Sequence, residues 1–259
     1  MRKYMIGASG IAVLAAIASP ASSANLSYFT AALNPLSGSG VSGTANATLD
    51  TNDNSLLVQI MASGLEPNQP HPQHIHGAFD MGVTGNPIDS TAPTLAQDTD
   101  GDGFIELAEG LPTYGPVLVP LTSPPDAGLA GFPTAPDGTI DFSQLYDLGD
   151  PVTFASIPDG DDDPGNDVKY TKADLLPLVL REVVLHGMTV PDGVGAGTDG
   201  EVNGVGGYKA VLPVAAGEFL VADANFNVIP LPAAGWMLLT ALGGLGLLGR
   251  HGGARTREA

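Results

Sequence analysis

Three of the five histidines in the chain fall in one short run, His71-Pro72-Gln73-His74-Ile75-His76-Gly77. Side chains alternate between faces along a β-strand, so His74 and His76 point the same way and Ile75 points the other way. Two imidazoles side by side make half of a metal site. His186, which closes the run Arg181-Glu182-Val183-Val184-Leu185-His186, is the candidate for a third ligand. Three neutral imidazoles suit copper or zinc. The competing reading is a set of histidines that only hydrogen-bond near the surface. Arg181 and Glu182 alternate on the same strand and are expected to pair or to face solvent. His251 lies in a basic C-terminal stretch and has no site role.

A second constellation is made of carboxylates. The run Asp98-Thr99-Asp100-Gly101-Asp102-Gly103-Phe104-Ile105-Glu106-Leu107-Ala108-Glu109 fits the twelve-residue calcium loop of an EF-hand. Asp98, Asp100 and Asp102 stand at positions 1, 3 and 5, and Gly103 stands at the sharp turn. Phe104 offers its carbonyl at position 7, and Glu109 can bind through both oxygens at position 12. Pro93 lies close before the loop and Gly110-Leu111-Pro112 follows it, so a paired helix–loop–helix is not expected. The expectation is one structural calcium stitched into a β-protein, against the plainer reading of a solvated acidic loop. The acidic run from Asp159 to Asp167 lacks this spacing and reads as a solvated turn.

The elements that must carry these residues read as strands. Tyr28 to Leu33, Val41 to Leu49, Leu56 to Met61, Val117 to Leu121, Thr139 to Phe142, Leu178 to Leu185 and Tyr208 to Val214 are short apolar runs punctuated by Gly, Pro, Asn and Asp. Helical periodicity is confined to Lys172 to Leu180, where Pro177 argues against a helix. The pattern predicts an all-β fold, an antiparallel Greek-key sandwich with long acidic loops.

Several segments resemble the Cu/Zn superoxide dismutase family, in the same order along the chain. They are Val41-Ser42-Gly43-Thr44, then Gly64-Leu65 with His71-x-x-His74-x-His76, then Arg181 to His186, then Gly206-Gly207-Tyr208-Lys209-Ala210. His-Ile-His-Gly also resembles the bacterial CHRD domains. The resemblance implies a β-sandwich in which His74, His76 and His186 match three copper ligands and His71 matches a supporting histidine. It departs from the dismutase pattern elsewhere. The bridging histidine, the zinc-loop histidines and the disulfide have no counterpart, and Tyr208 stands where that family has an arginine, with Lys209 beside it.

The ends address the chain. Arg2 and Lys3, an apolar stretch from Met5 to Ala18, Pro20 and the small residues Ser22-Ser23-Ala24 predict a signal sequence over 1–24, cut by a signal peptidase. At the other end Ile229-Pro230-Leu231-Pro232-Ala233 precedes an apolar stretch from Ala234 to Gly249, and Arg250, Arg255 and Arg257 follow. An apolar segment closed by arginines predicts a transmembrane stop, with Trp236 near the interface. This tail resembles the Val-Pro-Leu-Pro-Ala variant of the PEP-CTERM sorting signals. The resemblance implies recognition by an exosortase-type protease and an export address in a Gram-negative bacterium. The expected organisation is therefore 1–24, a single domain over 25–228 with the calcium loop at 98–109, and a sorting tail over 229–259.

The formal net charge is −19. Of the basic residues, only Lys169, Lys172, Arg181 and Lys209 lie between the two ends, so the middle of the chain is more acidic than the whole. Such a surface disfavours nucleic acid and anionic headgroups. The chain has no cysteine, so stability must come from the core and from bound metal. The reading with most support is an exported, surface-anchored or matrix-associated CHRD-like protein, non-enzymatic, holding structural calcium and copper. Its alternatives are a copper-only dismutase-like enzyme and a copper- or zinc-sequestering protein.

Overall fold

The computed structural model describes residues 25–158 and 167–230. The expected signal sequence, most of the acidic run from Asp159, Leu231, Pro232 and Ala233 of the sorting motif, and the apolar tail lie outside the described residues. Among the described residues no helix is long and apolar enough to cross a membrane.

Alternation of small or apolar with polar side chains builds the first half of the sheet. β1 (Leu26–Pro35), β2 (Ser42–Asp50) and β3 (Ser55–Ser63) follow one another in antiparallel pairing. In β3, Leu56, Val58, Ile60 and Ala62 are buried while the residues between them are half-buried or exposed. This period of two leaves one face for the core and one for water. β4 (Gln73–Phe79), β5 (Pro87–Ile88), β6 (Val117–Pro120), β7 (Thr139–Asp147), β8 (Arg181–Val190), β9 (Gly207–Glu218) and β10 (Leu220–Ala222) complete the strands. All strand pairs are antiparallel, in an open sheet ordered β5-β4-β8-β9-β1-β2-β3-β7, with β10 on β1 and β6 on β4. The fold is all-β with few helices, as the sequence predicts.

β4 and β8 are buried along most of their length, so both of their faces are covered. Ile75, Val183 and Leu185 join the main core together with Leu56, Val58 and Ile60 of β3. The opposite face of β4 and β8 carries His74, His76, Glu182, Val184 and His186. Over it lies α1 (Leu107–Tyr114), whose Tyr114 packs with Ile105, Val184, Ala216 and Leu36.

Two expectations are corrected, and the calcium-loop run ends in a single helix with no helix immediately before it among the described residues. α1 is started by a capping box in which the Glu106 side chain accepts from the backbone N–H of Glu109, and the Glu109 side chain accepts from that of Glu106. Pro112 is tolerated because the carbonyl it leaves without a partner belongs to the exposed Ala108. The strand expected over Leu178 to Leu185 begins only at Arg181. Leu178–Leu180 form a 3₁₀ turn after α2 (Lys172–Leu175), with Pro177 separating the two.

Arg181 and Glu182 do not pair and do not face solvent, for both are fully buried. The Arg181 guanidinium donates to the carbonyls of Leu175, Leu180, Asp174 and Ile88 and lies 5.6 Å from the Phe79 ring. Backbone carbonyls thus replace the water it would otherwise need.

Candidate metal centres

The antiparallel register of β4 against β8 sets His74 opposite Val184 and His76 opposite Glu182. His186 lies two residues beyond Val184, on the same face and diagonal to His74. The register of β8 against β9 slips on both sides of His186, and such irregularities re-aim a side chain. Gly187 follows with φ +106°, and a Cβ there would run into the Tyr208 hydroxyl, so glycine permits the turn in backbone direction behind His186.

The three rings converge. Their centroids lie 5.5 Å apart for His74 and His76, 5.2 Å for His74 and His186, and 6.1 Å for His76 and His186. One ring nitrogen from each lies within 4.8 Å of the other two. His76 Nδ1 is 2.8 Å from the Gly115 carbonyl, and His186 Nδ1 is 2.6 Å from the Val211 carbonyl. A carbonyl only accepts, so in both rings Nδ1 carries the proton and Nε2 keeps its lone pair. Those two Nε2 atoms and His74 Nδ1 are buried without any hydrogen-bond partner. Buried polar atoms are rarely left unpaired, and each of the three converging rings keeps one such nitrogen as a candidate donor to a metal ion.

The electrostatics agree with that role. Burial, followed by the nearness of His186, holds His76 down at about 3. Burial also lowers His186 to about 4, against the weaker effect of its Val211 bond. His74 is lowered well below the ordinary range by burial and then by its two histidine neighbours. All three rings are therefore neutral at physiological pH, the form that binds metal. Aromatic rings wall the cluster, with Tyr114 at 4.6 Å from His76 and Phe132 at 5.2 Å from His74.

His71 stands apart from this cluster. Its Nδ1 is 3.0 Å from the carbonyl of His186 and its Nε2 is 3.0 Å from the carbonyl of Glu66. It braces the backbone behind His186. Tyr208 belongs with His71, donating to the Pro70 carbonyl and packing edge-on at a centroid distance of 6.1 Å.

One residue at this site escaped sequence reasoning. Glu182, beside His76, has both carboxylate oxygens buried and unpartnered. Burial, and after it the charges of Glu218 and Asp89, pushes its carboxyl up to about 9, so it holds a proton at neutral pH. The only cue in the sequence was its phase, the same strand face as Val184 and His186.

The carboxylate constellation is only partly assembled. Oxygens of Asp98, Asp100 and Asp102 lie within 4.8 Å of one another. Burial, with repulsion from Asp100, Asp98 and Glu109, keeps the Asp102 carboxyl above its ordinary value despite the hydrogen bond from Phe104. Glu109 is not in that group. Its oxygens accept from Thr99 N at 2.6 Å, Thr99 Oγ1 at 2.8 Å and Glu106 N at 3.1 Å. Although partial burial works the other way, these bonds hold its carboxyl below the usual range. Phe104 donates its N–H to Asp102 and packs beside Val190, Val202 and Leu212. α1 joins the two constellations, with Glu109 in its first turn and Tyr114 and Gly115 against His76 at its end.

Among known proteins, no family model matches the chain, and the search of curated proteins finds no match.

Proposed function

We infer that this is an exported β-sandwich protein that holds a copper- or zinc-type ion at His74, His76 and His186. The observation that carries the reading is the convergence of three histidines, one nitrogen of each within 4.8 Å of the others, each ring keeping a buried nitrogen without a partner and two of the rings fixed by backbone carbonyls at Nδ1. Carbonyl bonds of this kind orient a ligating histidine and select its tautomer. Three imidazoles suit copper and zinc better than calcium or magnesium. Asp98, Asp100 and Asp102 are the oxygen donors for a structural calcium, with Glu109 and the Phe104 carbonyl completing it once Glu109 leaves Thr99.

The domain is CHRD-like, and the Greek-key sandwich is supported by a shared core. β3 lies far from β4 and β8 in strand order, yet residues of all three feed the same cluster. Arg2, Lys3 and the apolar run after them support export through a signal peptidase. Ile229 and Pro230, with Leu231, Pro232 and Ala233, support handling by an exosortase-type enzyme at the cell surface.

The role is non-enzymatic. Tyr208 is engaged with Pro70 and His71, the walls of the triad are aromatic, and the acidic surface repels superoxide. The test is the metal content of the purified protein after exposure to copper, zinc and calcium and extensive dialysis, beside a His74→Ala/His186→Ala variant. The expected result is one copper or zinc per chain, lost in the variant. No retained transition metal would overturn the reading, and turnover of superoxide by the loaded protein would move it to the dismutase alternative.

A further inference from the structure

The last described residues line a groove of about 570 Å³ formed by Val179, Leu220, Val221, Val228, Ile229 and Pro230, with Phe219 at its floor. Leu220, Val221, Val228 and Ile229 are each 46% to 49% exposed. None of the lining residues is charged, in a protein with 28 acidic residues. The groove is also built firmly. β10 pairs with β1 from Thr30 and Leu220 to Tyr28 and Ala222. Ala222 bridges to Val228, and Ile229 N donates to the Val221 carbonyl at 2.9 Å. The turn between them is held by Asp223, whose carboxylate accepts from the N–H groups of Asn225 and Asn227. The chain is therefore pinned to the sheet as far as Ile229.

Only the segment 230–233 separates this pinned point from the apolar stretch at 234–249. Four residues reach at most about 14 Å when fully extended. The headgroup layer on one side of a bilayer is roughly 5–8 Å deep, from a total of ~40–45 Å around a ~30 Å core. A tail embedded in the bilayer thus holds the groove within about one headgroup layer of the lipid surface. Contiguous exposed apolar surface marks an interaction site, and a surface at that depth meets lipid.

We propose that the groove formed by β10 and the Val228–Pro230 segment rests in the interface of the bilayer, so that the folded domain itself, and not the tail alone, contacts lipid. The inference rests on the reading of 234–249 as membrane-embedded. The groove carries no basic residue, so the contact is apolar and does not require anionic lipid; the partner is a neutral, phosphatidylcholine-type surface.

The chain has no cysteine, so a single introduced thiol reports one position. The full-length chain is reconstituted in phosphatidylcholine vesicles with an environment-sensitive fluorophore at Leu220→Cys, at Val228→Cys, or at Leu145→Cys. Leu145 is exposed on β7 and outside the groove. Quencher-bearing lipid is expected to quench the labels at 220 and 228 several-fold more than the label at 145, with blue-shifted emission. Equal quenching at the three positions overturns the proposal. Chains that fail to float with the vesicles overturn the membrane reading of the tail first, and the proposal with it. Shielding at 220 and 228 without lipid quenching, together with energy transfer between labelled chains, assigns the groove to a second copy and also overturns the proposal.

Discussion

Replacing His186 with glutamine should change how the metal-free protein responds to acid. His76 and His186 are held at about 3 and about 4 by burial, whereas an unfolded histidine titrates near ~6.5. Their folded-state values are depressed, so the stability they carry is present above ~6.5 and is lost as pH falls towards about 4. At pH 5 the folded rings are still neutral while the unfolded ones are protonated, which costs about 2 kcal/mol for each ring relative to pH 7.5. His74 acts in the same direction. Glu182 acts oppositely. Its carboxyl is raised to about 9, so its contribution is complete below the unfolded value near ~4.3 and shrinks as pH rises. Between pH 5 and 7.5 that loss is about 3 kcal/mol. The wild-type profile in chelator is thus a partial cancellation, and single variants expose its parts. His186→Gln should recover about 2 kcal/mol at pH 5 relative to pH 7.5, or ~4–8 °C in Tm for a domain of this size. Glu182→Gln should gain stability at pH 7.5 and change little at pH 5. The assay is thermal unfolding by circular dichroism between pH 5 and 8 in chelator. Variant profiles parallel to the wild type would refute the assignment of these groups as buried and oppositely charged-averse.

Two further outcomes follow from the loop and the bulge. Asp98→Ala combined with Glu109→Ala should lower Tm in calcium but leave the protein in chelator almost unchanged apart from the lost capping box, worth ~1 kcal/mol; an equal loss in both conditions would deny calcium a stabilising role, since only bound ligand can stabilise by mass action. Gly187→Ala places a side chain at φ +106° against Tyr208, and it should destabilise by more than ~1 kcal/mol and weaken zinc binding by moving His186. Isothermal titration with zinc checks the second part, and unchanged affinity would show that the bulge does not set the ligand's position.

What the sequence made legible was phase. Short apolar runs bounded by Gly, Pro, Asn and Asp marked the strands, alternation put His74 and His76 on one face, and His186 stood out as the end of the β8 run. What it did not carry was the second cover over that face. Pro93, Gly110 and Pro112 argued against a paired helix–loop–helix and gave no sign of the one helix that forms, α1, where Glu106 and Glu109 cap each other and Tyr114 finds an apolar niche beside Val184 and Ala216. That cover supplies the Gly115 carbonyl that sets the tautomer of His76. Burial on the same face turns Glu182, expected to pair or to face solvent, into a protonated acid. Arg181 shows the same failure on the other face, because carbonyls from four distant or local positions satisfy a charge that strand alternation alone would send to water. The candidate histidines were therefore readable in the sequence, while their protonation, tautomers and enclosure depend on groups across the fold: His76 with Gly115 and His186 with Val211, and Glu182 beside them with the charges of Glu218 and Asp89. Those long-range contacts, rather than the histidine spacing, keep the three rings neutral, oriented and enclosed, which is what the proposed metal site requires.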